Sequence, residues 1–176
     1  KSKSLNIKSL SYSEIDNHSE RIDELFNNVL SKSDYNFGII KANSFIELKK
    51  ELGDSFLFRG MFLEDKLIGF STSFRHNNTL EANYVGIDYS YNLDLAIYQR
   101  LLYDYVCQAI KNNVNELQLG RTSELIKSSL GAEPVNMKLY AKHKKAISNV
   151  LMSSILCFVS PSKFELRKPF KANFNN

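Results

Sequence analysis

The sequence predicts an α/β (α+β) fold: a mixed, mostly antiparallel sheet with helices on both faces and an extra C-terminal helix. Three observations carry this expectation. Between Ser55 and Ile87 the apolar residues recur with a period of two, broken only by short polar turns, which is the pattern of an antiparallel meander. On either side of that stretch the period becomes helical. The segment Glu116–Tyr140, ELQLGRTSELIKSSLGAEPVNMKLY, then reads as strand, glycine turn, short helix and strand. A right-handed helical crossover makes its first strand parallel to the last strand of the meander.

Leu5–Leu10 is the first predicted strand. Ser13–Leu30 follows as a helix, with Ser13 as N-cap and Ile15, Ile22, Leu25, Phe26, Val29 and Leu30 on one face. Ser31–Gly38 is turn-like, and Ser44–Leu52 is a second helix stopped by Gly53. In the meander, Ser55–Leu63 sets Phe56, Phe58, Gly60 and Phe62 against Leu57, Arg59, Met61 and Leu63. Glu64–Asp65 turns the chain, Lys66–Phe74 is the next strand, His76–Thr79 turns it again, and Leu80–Ile87 closes the meander. Strict alternation places Leu80, Ala82 and Tyr84 on one face of that strand and Glu81 with Asn83 on the other. A polar, tyrosine-rich connection, Asp88–Asn92, leads into the strongest helix, Leu93–Asn112. Its stripe is Leu95, Tyr98, Leu102, Tyr105, Val106, Ala109 and Ile110.

Leu117 and Leu119 mark the next strand and Gly120 its turn; Thr122 or Ser123 caps a short helix that Gly131 closes. Val135, Met137 and Leu139 then alternate as a proline-led strand. The last helix repeats Ala146, Ile147, Val150, Leu151, Ile155 and Phe158, and Pro161 ends it. The expected division is a catalytic-type domain over residues 1–143 and an amphipathic helix with a basic tail over 144–176.

Hydrophobic content of 43% and charged content of 24% are those of an ordinary globular chain and exclude a disordered or collagen-like one. A net charge of +4 suits an anionic ligand and equally describes a solvated lysine surface. Cys107 and Cys157 sit in apolar helical patterns without CxxC spacing, so no zinc site or disulfide framework is expected, and reduced buried thiols fit a cytoplasmic protein. No pair of histidines has metal-ligand spacing, so no metal is expected. Lys1–Leu10 lacks the apolar core of a signal peptide. The most apolar run, Ala146–Val159, is about fourteen residues, short of a membrane span. The chain opens on Lys1 rather than Met, as a segment of a longer protein would. No nucleophile elbow, Walker loop or dinucleotide fingerprint occurs, which leaves hydrolase and NTPase chemistry without support.

The polar turn at the carboxyl end of a strand in Gly120–Ser123 is where α/β proteins place ligands, and it is the first site candidate. The element order and the segment LGRTSELIKSSLGAEPV resemble the GNAT superfamily, the acyl-CoA N-acyltransferase fold, in particular its FemAB-like, acetyltransferase-like branch. The resemblance covers Leu5 to Tyr140 and implies an N-acyltransferase whose donor is acyl-CoA (acetyl-CoA), or aminoacyl-tRNA if the Fem kinship is close. The acceptor would be a small-molecule or peptide amine, with a role in cell-envelope biosynthesis.

The same resemblance implies that the strands Leu80–Ile87 and Leu117–Gly120 splay apart to take the pantetheine arm, with Tyr84, Val85, Gly86 and Ile87 supplying backbone donors. Pyrophosphate would sit at the N-terminus of the Leu93–Asn112 helix. Arg121, Thr122, Ser123 and Lys127 are the further candidates for donor binding. Glu81 and His76 are the candidate bases, and Tyr140 is a candidate phenolic acid. Two departures stand out. The glycine-rich loop is replaced by Asp88-Tyr-Ser-Tyr-Asn-Leu-Asp94, and Lys127 stands where many members carry a tyrosine. A catalytically inactive binding or assembly module of the same fold is therefore the alternative. A homodimer through the last helix is a further option, and membrane contact is not expected.

Overall fold

The computed structural model describes residues 5–33, 38–121, 123–137, 140, 142–145, 148–150, 152 and 165–170. They fall into two compact units, Lys1–Arg121 and Thr122–Asn176. The first contains a five-stranded sheet in the order β1 (Leu5–Ser9), β2 (Phe56–Leu63), β3 (Lys66–His76), β4 (Thr79–Ile87), β5 (Glu116–Gln118). The first four strands pair antiparallel, and β5 lies parallel to β4. The mixed, mostly antiparallel sheet expected from the sequence is present.

Helices cover both faces. On one side lie α1 (Tyr12–Asn17), α2 (Ser19–Leu30) and α3 (Ala42–Leu52). Their Ile15, Ile22, Leu25, Phe26 and Phe45 pack with Phe56, Phe58 and Phe70 of the sheet in one aromatic-rich core. The single predicted helix over Ser13–Leu30 is in fact two, broken at His18. The first is capped by Ser11 rather than Ser13, in a capping box with Glu14. Ser11 donates its backbone N–H to Glu14 at 2.9 Å. Serines two residues apart compete for such a cap, and the glutamate three residues on selects Ser11.

On the other face lie α4 (Tyr89–Leu95) and α5 (Ile97–Lys111). The predicted helix from Leu93 is interrupted at Ala96, which takes a left-handed conformation with φ 48° and ψ 48°. The buried stripe of α5 is Ile97, Leu101, Leu102, Asp104, Tyr105, Gln108 and Ala109, so Ile110 and Cys107 face solvent against expectation. The stripe is rotated because two polar residues belong to it. Asp104 receives both Nε and Nη2 of Arg59 at 2.8 and 2.9 Å, inside the molecule, and Arg59 also donates to Ser9 and to the Ile7 carbonyl. A bidentate pair of this kind is stable in the interior only when its remaining donors are also satisfied.

The second unit holds α6 (Glu124–Ser128). Among the described residues no strand forms around Val135, and Leu139 of the expected proline-led strand lies outside them. Residues 132–137 carry no regular structure, and Val135 and Met137 are 84% and 80% exposed. Alternation makes a strand only where a sheet edge accepts it and one face can be buried. Ser148, Asn149, Val150 and Met152 are helical, and the rest of the predicted last helix, with Cys157, lies outside the described residues. Among the described residues no helix is long and apolar enough to cross a membrane.

Candidate functional site

The C-terminal half of β4 is the feature around which a site assembles. β5 pairs only with Thr79, Leu80 and Glu81, while β4 runs on to Ile87. Beyond Glu81 the strand therefore presents to that side a backbone edge that β5 does not pair. Such an edge accepts an extended ligand through main-chain hydrogen bonds.

A bulge reshapes the same stretch. Ser71 stands opposite Val85 and Ser73 opposite Ala82, so Asn83 and Tyr84 together oppose Thr72 alone. The Tyr84 amide donates to Thr72 Oγ1 at 3.0 Å, and the Tyr105 hydroxyl donates to the Thr72 carbonyl at 2.9 Å. The extra residue changes the parity of the strand. Tyr84 packs its ring against Phe26 and Phe45 at centroid distances of 5.7 and 5.9 Å, in the core that also receives Phe74, the cross-strand partner of Glu81. Tyr84 thus shares the face of Glu81, whereas strict alternation had put it on the opposite one.

Glu81 is exposed and is the last β4 residue that β5 pairs. Gly86 is fixed by packing: a Cβ there would lie 2.1 Å from the buried Phe70 ring. Val85, Gly86 and Ile87 continue along the stretch that β5 leaves open. Their ends meet α5, because Gly69, the partner of Ile87, lies under Ile97, with room for no Cβ (2.9 Å to Ile97 Cγ2). The N-terminus of α5 consequently stands over the end of β4. Its start is Ile97 rather than Leu93, and Asn92 Oδ1 already accepts the Tyr98 amide at 3.1 Å. Asp94 lies in α4 and not in the first turn of the long helix.

Asp88 closes β4. It accepts hydrogen bonds from Arg21 and from the hydroxyl and amide of Ser90. Burial alone would raise its pKa, but the Ser90 and Arg21 hydrogen bonds outweigh burial and hold it below the ordinary carboxylate range. Sequence reasoning missed Thr72, Tyr105 and the Arg21–Asp88 pair. Tyr105 reads as one more apolar stripe residue, and no local signal announces a bulge.

Arg121 is exposed, one residue beyond Gly120, whose φ of 69° favours glycine. His76 sits in the β3–β4 hairpin at the other end of β4, where its ring contacts the Asn77 amide at 3.1 Å. At roughly 3.3 Å per residue, its partner Thr79 is about 20 Å along the strand from Val85. The structure therefore places Glu81 and Tyr84–Ile87 on one strand, with His76 about 7 Å along from Glu81 and at the far end from Val85–Ile87.

In the second unit Ser123 is the N-cap of α6 in a left-handed conformation. Its carbonyl accepts the Ile126 and Lys127 amides, both at 3.1 Å, and its hydroxyl makes no cap bond. Lys127 is buried, only 8% exposed. Burial lowers its pKa to about 8, with Glu124 opposing the shift. Tyr140 is 85% exposed, and Thr122 lies outside the described residues. Among the described residues no group of three His, Cys, Asp or Glu side chains gathers to hold a metal. Two open concavities lie elsewhere, one beside Ser11, Tyr12 and Lys50 and one beside Asn17, His18 and Arg21. Neither touches β4.

No protein-family model and no curated protein matches the chain. Solved structures do. An aminoglycoside acetyltransferase from an uncultured soil metagenomic sample, in complex with sisomicin, is similar with a TM-score of 0.59 at 15% identity, over 80% of this chain and 97% of that one. Glucosamine-6-phosphate N-acetyltransferase from Arabidopsis thaliana gives 0.57 at 12%, over 81% and 99%. Ribosomal-protein-alanine N-acetyltransferase from Brucella melitensis biovar Abortus 2308 gives 0.56 at 11%, over 80% and 99%. These likenesses establish the GNAT acetyltransferase fold.

Proposed function

We propose that the protein is an N-acyltransferase that moves an acyl group from acyl-CoA, acetyl-CoA in the simplest case, to an amine. The observation that carries this reading is the bulged, β5-free half of β4 ending beneath the N-terminus of α5 in an acetyltransferase fold. The pantetheine arm lies along that edge. The amine attacks the thioester carbonyl, the C–S bond breaks, and the thiolate leaves. Glu81, at the base of the divergence, takes the amine proton through water. The amides of Val85 and Ile87, which alternate away from β3, face the developing oxyanion, since the Tyr84 amide is committed to Thr72, the Asp88 amide to Ile68, and Gly86 between them points the same way.

Arg121, Thr122, Ser123 and Lys127 are assigned to the donor's anionic groups. Lys127, titrating near 8, and Tyr140 are the candidates for protonating the thiolate, and His76 is the alternative base. Proteins of this fold named above are an aminoglycoside and a glucosamine-6-phosphate acetyltransferase, which supports a small polar amine as acceptor. Aminoacyl-tRNA as donor and a cell-envelope acceptor are the variants a FemAB-like kinship adds.

A second reading, a non-catalytic binding module, is favoured by one observation: Asn92 occupies a first-turn donor of α5 that a pyrophosphate would use. Thiol release from acetyl-CoA across a panel of amines separates the two. The enzyme reading expects turnover, with Glu81→Gln lowering kcat on the order of 10²-fold or more. Acetyl-CoA binding without thiol release would leave the module, and no binding at millimolar concentration would remove acyl-CoA from the account.

A further inference from the structure

Tyr105 is almost wholly buried on α5, yet its hydroxyl is spent on one place in the sheet. It donates to the Thr72 carbonyl at 2.9 Å and approaches the Tyr84 carbonyl at 3.4 Å. Thr72 is the single residue opposite the two-residue bulge, and its own hydroxyl holds both the amide and the carbonyl of Tyr84, at 3.0 and 3.4 Å. Four hydrogen-bond contacts from two side chains thus converge on the point where β4 changes parity. Neighbouring Ser71, the partner of Val85, is buried beside the same phenol. A slip of the bulge by one residue would move every following side chain to the other face and every following amide to the other edge.

We propose that Tyr105 and Thr72 are positioning residues that lock the β4 bulge and so turn the amides of Val85 and Ile87, which alternate away from β3, toward the open edge. The inference rests on the acyltransferase reading for its consequence but not for its structural content. Tyr105 touches neither donor nor acceptor. It acts through the backbone of Tyr84, with the Phe70–Gly86 contact holding the far side of the same stretch. Burial pushes the phenol well above its ordinary range, so it remains a donor at every working pH.

The test uses Tyr105→Phe, Thr72→Val and the conservative Thr72→Ser in the full chain. Amide hydrogen exchange is read residue by residue, and acetyl-CoA kinetics are read beside it. Tyr105→Phe and Thr72→Val are expected to speed exchange at Tyr84–Ile87 by about tenfold, the loss of one hydrogen bond, while β1 and β2 stay protected. KM for acetyl-CoA should rise by a similar factor with kcat changed less, and Thr72→Ser should restore both. Unchanged exchange at Tyr84–Ile87, or a loss of protection spread evenly over the sheet, overturns the inference. If wild-type protein binds no acetyl-CoA, the acyltransferase reading fails, and the exchange data still decide whether the bulge is locked.

Discussion

Lys127 is the residue whose chemistry departs furthest from its sequence appearance. A lysine in the last turn of a short helix reads as a solvated charge, and only burial, which no local pattern encodes, moves its pKa from 10.5 to about 8. The folded protein then prefers the neutral amine, while the unfolded chain still binds the proton. Stability should rise as pH goes from about 8 to about 10.5 and be flat below that window. Lys127→Met should remove the rise, which urea unfolding across the window would show; an unchanged slope would contradict the burial. Competitive amine labelling should find one lysine titrating near 8. Glu14 behaves in the opposite sense. Its hydrogen bond from the Ser11 amide, with help from Lys8, lowers its pKa to about 2. The capping box therefore contributes above the ordinary glutamate range and is lost as pH falls toward 2. Glu14→Gln should cost no more than about 1 kcal/mol, because the cap is exposed. The Ser11-x-x-Glu14 spacing that selects this cap is itself legible in the sequence, and reading Ser13 as the cap overlooked it.

At the scale of elements, period and turn chemistry made the meander legible almost to the residue. Phe56–Leu63 and Lys66–His76 lie buried on both faces between the two helix layers, and short polar turns bound each of them. What failed to show were the interruptions. The break at His18, the left-handed Ala96 and the β4 bulge each depend on a partner far away in sequence. Asp104 and Gln108 rotate the buried stripe of α5 because Arg59, 45 residues upstream of Asp104, needs a carboxylate. Asp104→Asn leaves that guanidinium buried and half-satisfied, and should destabilise the fold by about 3 kcal/mol in denaturant unfolding. The double change Arg59→Met with Asp104→Leu should recover much of the loss, and an additive loss would argue against the pair. Gly86→Ala tests the packing of β4 on Phe70, whose ring is held by Phe45 and Phe58. It should cost about 1–3 kcal/mol, since a buried stacked ring has little room to yield.

For the whole molecule, the order of strands and helices identified the GNAT fold before any coordinates, and solved acetyltransferases at 11–15% identity share it. The candidate site was half legible. Glu81 and Tyr84–Ile87 were named correctly as neighbours on one strand, but their facing was not, because alternation cannot register an extra residue. The region after Gly120 was the most suggestive part of the sequence. There the structure gives a buried Lys127 and a capping Ser123, and no strand over residues 132–137. Fold does not fix function, so the central claim stands or falls on the β4 edge. The most direct test is a titration of isotope-labelled protein with acetyl-CoA, followed at the backbone amides. The account predicts saturable shifts concentrated at Val85, Gly86, Ile87 and the first turn of α5. No shift at millimolar acetyl-CoA, or shifts confined to another surface, would contradict it.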